Sequence, residues 1–208
     1  MITASKLRQR LAGTREPADP LDVVMPLGSD SWPAGMRERL TATLTPAGVL
    51  IPLVDHGAGD LTMLLTERSA ELTTHAGQIS FPGGRMEAGD PDITVTALRE
   101  TEEEVGLSRD LVSVIGYLRP MPTITGYAVT PVVGLVESGF ELDIDTTEVA
   151  SAFEAPLAFF LDDRNHKQVE RELHGSKVTM VEYHFDGQRI WGATAFIIEK
   201  FLKVISKQ

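Results

Sequence analysis

The sequence predicts an α+β domain, or a sandwich with helices outside the sheets. Three observations carry that expectation. Apolar runs of strand length recur over most of the chain, two longer segments place apolar residues at helical spacing, and a Pro-rich stretch precedes them all. The 208 residues match one generous domain at roughly 100–200 residues per domain.

Residues 4–12 have the pattern of a short amphipathic helix. From Thr14 to Gly48 the chain is rich in Pro, Gly, Asp and Ser, including Pro17, Pro26 and Pro33. It reads as an extended arm with a helical turn around Met36–Leu44. Val49–Val54 and Leu61–Thr66 flank a polar, Gly-rich turn and form a predicted hairpin. Gln78–Phe81 is a short strand ending at Pro82-Gly83-Gly84. Pro91–Val105 is a predicted helix, with Asp90-Pro91 as cap and first residue and Gly106 as its stop. Strands are expected at Val112–Leu118, Ala128–Val136, Val149–Phe153, Gln168–Leu173, Val178–Phe185 and Arg189–Trp191. The run Ala155–Leu161 is also apolar and strand-length. Ala193–Ile205 closes the chain as a helix packed on a sheet, giving an arm over 1–46 and a domain over 47–208.

Composition removes several function classes. There are 19 Lys and Arg against 30 Asp and Glu, a formal net charge of −11, and no cysteine. That balance argues against nucleic-acid binding and against electrostatic membrane binding, both of which need an excess of cations. Without cysteine there is no disulfide, thiolate nucleophile, Cys-ligated zinc or iron–sulfur cluster, so oxygen atoms and the five histidines must hold any metal. Residues 1–13 carry Lys6, Arg8 and Arg10 but no apolar core of a secretory signal, and no run approaches 18 apolar residues. A cytoplasmic protein is the expectation.

The informative stretch runs from Phe81 to Leu107. Glu100, Glu103 and Glu104 fall at i, i+3 and i+4, which places three carboxylates on one helix face. Like charges at that spacing repel by a few tenths of a kcal/mol per pair. Glutamates near a helix C-terminus also oppose its dipole. A solvated acidic face is one reading. The other is a site for hard divalent cations, and the Gly83-Gly84 pair ahead of the helix favours it, because glycine lets backbone amides and carbonyls approach a metal or phosphate.

The same stretch resembles the Nudix box, G-x5-E-x7-R-E-U-x-E-E-x-G-U with U apolar. From Gly84 five residues lead to Asp90, where the pattern has Glu; eight residues rather than seven then precede Arg99. The tail Arg99-Glu100-x-x-Glu103-Glu104-x-Gly106-Leu107 is intact except for Thr101 in an apolar slot. Upstream, Leu64-Leu65-Thr66-x-Arg68, then His75-x-Gly77-Gln78-x-x-Phe81-Pro82-Gly83-Gly84, is similar to the extension that marks the coenzyme A pyrophosphatase branch. That branch also tends to carry Asp and the longer loop. Further matches at Pro156-Leu157 and Ile190-Trp191-Gly192 extend the likeness over roughly residues 47–205.

The resemblance implies a mixed sheet between helices (α/β/α) and hydrolysis of the pyrophosphate of coenzyme A to 3′,5′-ADP and 4′-phosphopantetheine. Another nucleoside diphosphate derivative, such as ADP-ribose, a dinucleotide or a nucleoside triphosphate, stays open as substrate. So does a module that binds a nucleotide without cleaving it. It implies Mg²⁺ or Mn²⁺ held by Glu100, Glu103, Glu104 and the Gly84 carbonyl, with Arg99 orienting a glutamate. Glu148, before the strand at 149–153, is a candidate general base, or else a solvated loop acid. Arg68, Arg85, His75, Gly83 and Gly84 are candidate substrate contacts. For Arg68 the alternative is a structural salt bridge, for His75 a structural hydrogen bond, for Arg85 a solvated loop. Trp191 either stacks on a base or anchors the last helix. His166, His174 and His184 read as surface or sheet-edge residues. The Pro-rich arm offers a surface for homodimer contacts, with no motif that names a partner.

Overall fold

The computed structural model describes residues 2–25, 34–173 and 176–206. Residues 26–33 of the Pro-rich arm, His174 and the final dipeptide lie outside the described residues. The elements are α1 (Ala4–Leu11), α2 (Ala34–Thr41), β1 (Thr45–Asp55), β2 (Leu61–Arg68), β3 (Ile79–Ser80), β4 (Gly83–Arg85), α3 (Ile93–Val105), β5 (Val112–Tyr117), β6 (Met121–Pro122), β7 (Tyr127–Glu137), β8 (Val149–Pro156), α4 (Leu157–Leu161), β9 (Lys167–Leu173), β10 (Ser176–Phe185), β11 (Gln188–Ile190) and α5 (Gly192–Ser206).

β1 to β8 form one mixed sheet with the central order β3-β2-β1-β7-β5; β4 also pairs with β1, β6 with β7 and β8 with β2. β1 and β7 run parallel over their full length, and the other pairings are antiparallel. β1 contains Pro52, which a central strand seldom tolerates. Its position explains it. β4 pairs with residues 47–49 and β2 with residues 53–55, so Pro52 falls in the gap where no antiparallel neighbour needs its N–H.

Strand alternation sorts the core into two layers. Leu50, Val54, Leu64, Val132 and Val136 pack on Ala97 and Val105 of α3. Ile51, Leu53, Met63, Leu65 and Val133 face the other way, toward Leu7 and Leu11 of α1, Phe160 of α4 and Phe201 of α5. The result is the α/β/α layering expected. The meander β9-β10-β11 joins the second layer through Tyr183 and Ile190. Among the described residues, no helix is long and apolar enough to cross a membrane.

The structure departs from the sequence reading at four places. Helix α3 starts at Ile93 rather than Pro91, because Asp92 is the N-cap and its Oδ1 accepts from Val95 N at 2.8 Å. The Pro82-Gly83-Gly84 stop is followed at once by a strand: Gly83–Arg85 pairs with Ala47–Val49. Ala155–Leu161 is not one strand. Pro156 ends β8, and Leu157–Leu161 turns helical. Strand β6 was not expected from the sequence, and it exists by pairing Met121 and Pro122 with Val129 and Ala128.

Residues 7–24 are tied to the sheet layers and to α3 at several points. Leu7 and Leu11 are fully buried. Thr14 Oγ1 accepts from Tyr117 N at 2.9 Å, and Val24 N donates to Pro120 O at 2.7 Å. Glu16 Oε1 accepts from Thr94 N at 3.1 Å and Thr94 Oγ1 at 3.0 Å, in the first turn of α3. A carboxylate there satisfies a free helix amide and complements the dipole. Leu11→Ala should therefore cost about 2–5 kcal/mol and Glu16→Ala about 1 kcal/mol in urea unfolding. A Leu11→Ala variant as stable as the wild type would mean that the arm does not dock.

Candidate active site

Helix α3 sits close against β1 because Gly48 has no side chain; a Cβ there would come within 2.7 Å of Ile93 O and 3.1 Å of Ala97 N. At its far end Gly106 caps the helix and donates to Glu102 O. The last carbonyls are also covered: Asp143 N donates to Val105 O and Asp145 N to Glu104 O, both at 3.0 Å. That lacing brings the loop before β8 onto the helix end and delivers Glu148, whose own carbonyl accepts from Ser69 N at 2.8 Å.

Arg99 organises the acidic face. Its Nε and Nη2 form a fork on Asp90, at 3.0 Å to Oδ1 and 2.9 Å to Oδ2. Its Nη1 bridges Glu100 Oε1 at 3.0 Å and Glu103 Oε2 at 2.9 Å, and Nη2 reaches the Arg85 carbonyl at 3.3 Å. Asp90 also accepts from Glu87 N and Thr96 Oγ1. The Arg99 hydrogen bonds, with those two, hold its carboxyl well below the usual range. Asp90 is thus the partner of Arg99 rather than the helix cap, and Thr96 steadies it. Thr101, the polar residue in an apolar slot, satisfies its buried hydroxyl on Ala97 O at 2.7 Å.

The three glutamates differ in burial. The Glu103 side chain is 60% exposed, that of Glu100 16% and that of Glu104 4%. Glu100 lies directly against Gly84, where any Cβ would overlap its carboxylate. Glu104 accepts from Gly83 N at 3.1 Å and stands 3.7 Å from Arg68 Nη1. Burial pushes the Glu104 carboxyl up to about 7 against the help of Gly83 and Arg68, and the charges of Glu148 and Glu100 add to the rise. Glu100 is raised for the same leading reason, opposed by Arg99 and reinforced by Glu103 and Glu148.

The structure therefore brings Glu100, Glu104 and Glu148 within one another's fields, with Arg68, Gly83 and Gly84 beside them. The buried Arg68 Nε has no partner among the described residues. Among the described residues, Arg85 and His75 make no ion pair or hydrogen bond to Glu100, Glu104 or Glu148. The Arg85 side chain is 67% exposed, 4.0 Å from Glu87. His75 bonds through Nδ1 to Gln78 Oε1 at 2.9 Å in the exposed loop before β3.

Among the described residues, no three Asp, Glu or His side chains form a ready-made metal cage. Arg99 stands between Glu100 and Glu103 instead. The donor chemistry still fits a hard divalent cation: the donors are oxygens, and two of the carboxylates are held together at an electrostatic cost that a dication would relieve.

The NUDIX domain profile matches residues 44–173. The chain belongs to the Nudix family. Similar proteins include an uncharacterized Nudix hydrolase NudL of Photorhabdus laumondii, 39% identical over 168 residues that cover 81% of this chain and 89% of the relative. A second, of the same name from Pectobacterium atrosepticum, is 41% identical over 162 residues, 77% of this chain and 82% of the relative. Among solved structures, a MutT/nudix family protein from Enterococcus faecalis superposes with a TM-score of 0.50 at 19% identity, covering 79% of this chain and 63% of that one, a likeness of fold. This Nudix chain is accordingly a pyrophosphohydrolase, of a family that generally works with divalent metal ions.

The raised Glu104 carboxyl has a consequence for stability. The folded protein binds that proton more tightly than an unfolded chain with the ordinary value of 4.5. The group stabilises the fold fully below pH 4.5, and that contribution is lost as pH rises through about 7. In metal-free buffer the wild type should lose stability across this window relative to Glu104→Gln, and millimolar Mg²⁺ should reduce the loss. Identical pH profiles for the two proteins in thermal unfolding would contradict the assignment.

Proposed function

We propose that this Nudix hydrolase cleaves the pyrophosphate bond of coenzyme A and its derivatives, releasing 3′,5′-ADP and 4′-phosphopantetheine or its acylated form. The observation that carries the reading is the meeting of two motifs. Arg68 and Gly83, both from the segment resembling the coenzyme A branch, flank Glu104 of the Nudix helix, at 3.7 Å from Arg68 Nη1 and 3.1 Å from Gly83 N. The catalytic unit in this reading is residues 47–208, with residues 1–46 as an arm docked on it.

In this reading Glu100, Glu103, Glu104 and the Gly84 carbonyl hold Mg²⁺ or Mn²⁺. Such a cation, when bound, offsets the negative charge of the pyrophosphate and lowers the pKa of a coordinated water. The remaining roles fall to side chains. Arg99 keeps Glu100 and Glu103 apart and aimed, through contacts at 3.0 and 2.9 Å. Glu148 accepts the proton of the attacking water; its exposure leaves it accessible, and its backbone is pinned by Ser69 N and Asp145 O. Arg68 meets a phosphate oxygen, and its buried Nε, without a partner among the described residues, marks a guanidinium not yet fully satisfied. Gly83 supports the buried Glu104 through its N–H. Arg85, exposed at the end of β4, and His75, on the exposed loop before β3, contact the substrate away from the scissile bond.

Incubation with Mg²⁺ or Mn²⁺ and a panel of coenzyme A, acyl-coenzyme A, ADP-ribose, NADH and deoxynucleoside triphosphates tests this directly. Chromatography should show 3′,5′-ADP forming from coenzyme A first. Faster consumption of another member would reassign the substrate, and no turnover of any would favour a binding module. Glu103→Gln removes a ligand charge without changing side-chain size, so turnover should fall by at least about 100-fold while thermal unfolding stays unchanged. Retained activity in that variant would exclude the proposed metal site.

A further inference from the structure

The outer face of the β9-β10-β11 meander carries a charge pattern that the catalytic site does not use. Val181, Tyr183, Phe185 and Ile190 turn inward to the core. The residues of opposite parity turn outward. Register sets Lys167 opposite Glu182, Arg171 opposite Val178 and Arg189 opposite His184. Four cationic or protonatable side chains therefore share a face with one acid, while Glu170 and Glu172 have the other parity. Part of this face, at Val178 and Met180, is covered by Leu40 of α2. The charged part is open, with the side chains of Arg171, His184 and Arg189 at 46%, 46% and 39% exposure.

Glu182 is the buried centre, with 4% of its side chain exposed. Arg171 donates to it from Nε at 3.3 Å and Nη2 at 3.0 Å. Arg189 donates from Nε at 3.0 Å and also through Nη2. His184 Nε2 lies 3.5 Å from its second oxygen. The Arg189 guanidinium also lies over the Trp191 ring, 4.8 Å from the ring centre. One guanidinium would neutralise one carboxylate. Here there are two, with the His184 imidazole beside them and Lys167 at the strand position opposite Glu182, so a surplus of positive charge is concentrated on one face of a chain whose net charge is −11. A purely structural ion pair has no need of that surplus. Because Nε and Nη2 of each arginine engage Glu182, the opposite edge of each planar fork points away from it. Two forks fixed by a buried acid, with Lys167 and His184 at the rim, present donors to an anion rich in acceptor oxygens.

We propose that this face binds a phosphate monoester dianion, separate from the carboxylate site on α3. Glu182 is a positioning residue here: it fixes the two guanidinium groups and does not itself meet the ligand. The source of the dianion, a nucleotide or free phosphate, shares this chemistry, and the inference does not depend on which pyrophosphate the enzyme cleaves.

Trp191 provides a local readout once Trp32, the other tryptophan of the sequence, is replaced by Phe. In that background, titration with inorganic phosphate, adenosine 5′-monophosphate or 3′,5′-ADP at constant ionic strength should change Trp191 emission saturably. Stronger binding of the nucleotides than of inorganic phosphate identifies a nucleotide as the ligand, and equal binding identifies the phosphate group alone; both support the site. Lys167→Gln combined with His184→Gln leaves both arginines on Glu182, so folding and basal hydrolysis should be retained while the dissociation constant rises about tenfold. Glu103→Gln should leave the response intact, which separates this face from the catalytic carboxylates. A response that chloride reproduces at equal ionic strength, or one unchanged in the Lys167→Gln/His184→Gln protein, would overturn the proposal.

Discussion

Arg99 is the interaction on which the acidic face depends. Glu100, Glu103 and Glu104 occupy the last two turns of α3, where the dipole disfavours them, and Asp90 sits just before the helix. Without a cation among them these carboxylates would drive the loop and helix apart. A single guanidinium touches Asp90, Glu100, Glu103 and the Arg85 carbonyl at once. A lysine offers one point charge and no planar fork, so it could not make the bidentate contact to Asp90 while bridging two glutamates. Asp90 keeps its charge because it is hydrogen-bonded four ways, and that fixed charge in turn holds Arg99. Glu104 has no such partner. It is buried, reached among the described residues by an amide and a more distant guanidinium, and its raised pKa records the difference.

The residues around this cluster come from far along the chain, and each addresses a group that a helix leaves unpaired. Glu16 takes the Thr94 amide at the start of α3, and Asp143 and Asp145 take carbonyls at its end. The first lies outside the matched Nudix segment of residues 44–173, the others within it. A helix held at both ends and pressed on Gly48 has little freedom to rotate, so the burial gradient from Glu104 to Glu103 is set by the fold rather than by side-chain choice. The loop that satisfies the C-terminal carbonyls is also the one that ends in Glu148. Capping the helix and presenting a further carboxylate are one structural event.

Much of this was legible in the sequence, for physical reasons that also explain the misreadings. The spacing of Glu100, Glu103 and Glu104 fixes a shared helix face, and Gly106 marks the helix end, because both are local. The start is not legible, because Asp90-Pro91 imitates a cap; Asp90 is drawn to Arg99, nine residues away, and Asp92 caps instead. No periodicity reports such a contact. Leu157–Leu161 is a helix too short to show a 3.6-residue repeat, so its run of apolar residues looks like a strand. Gly83–Arg85 has no strand propensity of its own, and only pairing with β1 makes it one. The grouping of Glu148 with Glu100 and Glu104 rests on the Asp143 and Asp145 backbone bonds, which composition does not encode.

The acidity of the chain acquires a structural meaning from this arrangement. Between Arg85 and Glu104 there are seven acidic and two basic residues, a net of −5 out of −11 in one loop and helix. Arg99 already engages three of those carboxylates, and Arg68 stands 3.7 Å from a fourth, so the protein's own cations do not balance the cluster. An anionic substrate approaching it would meet repulsion at every protonation state in which Glu104 is ionised. Divalent cations reverse the sign of that encounter, and they would also lower the Glu104 pKa and relieve the strain of its burial. In the proposed reading, the negative charge that would repel a phosphate ligand is the feature that makes its binding conditional on metal. The meander offers the contrasting solution, in which the excess charge is positive and built from Arg171 and Arg189 around one buried acid. On the readings proposed for the two surfaces, the first holds phosphate through a cation, and the second needs none.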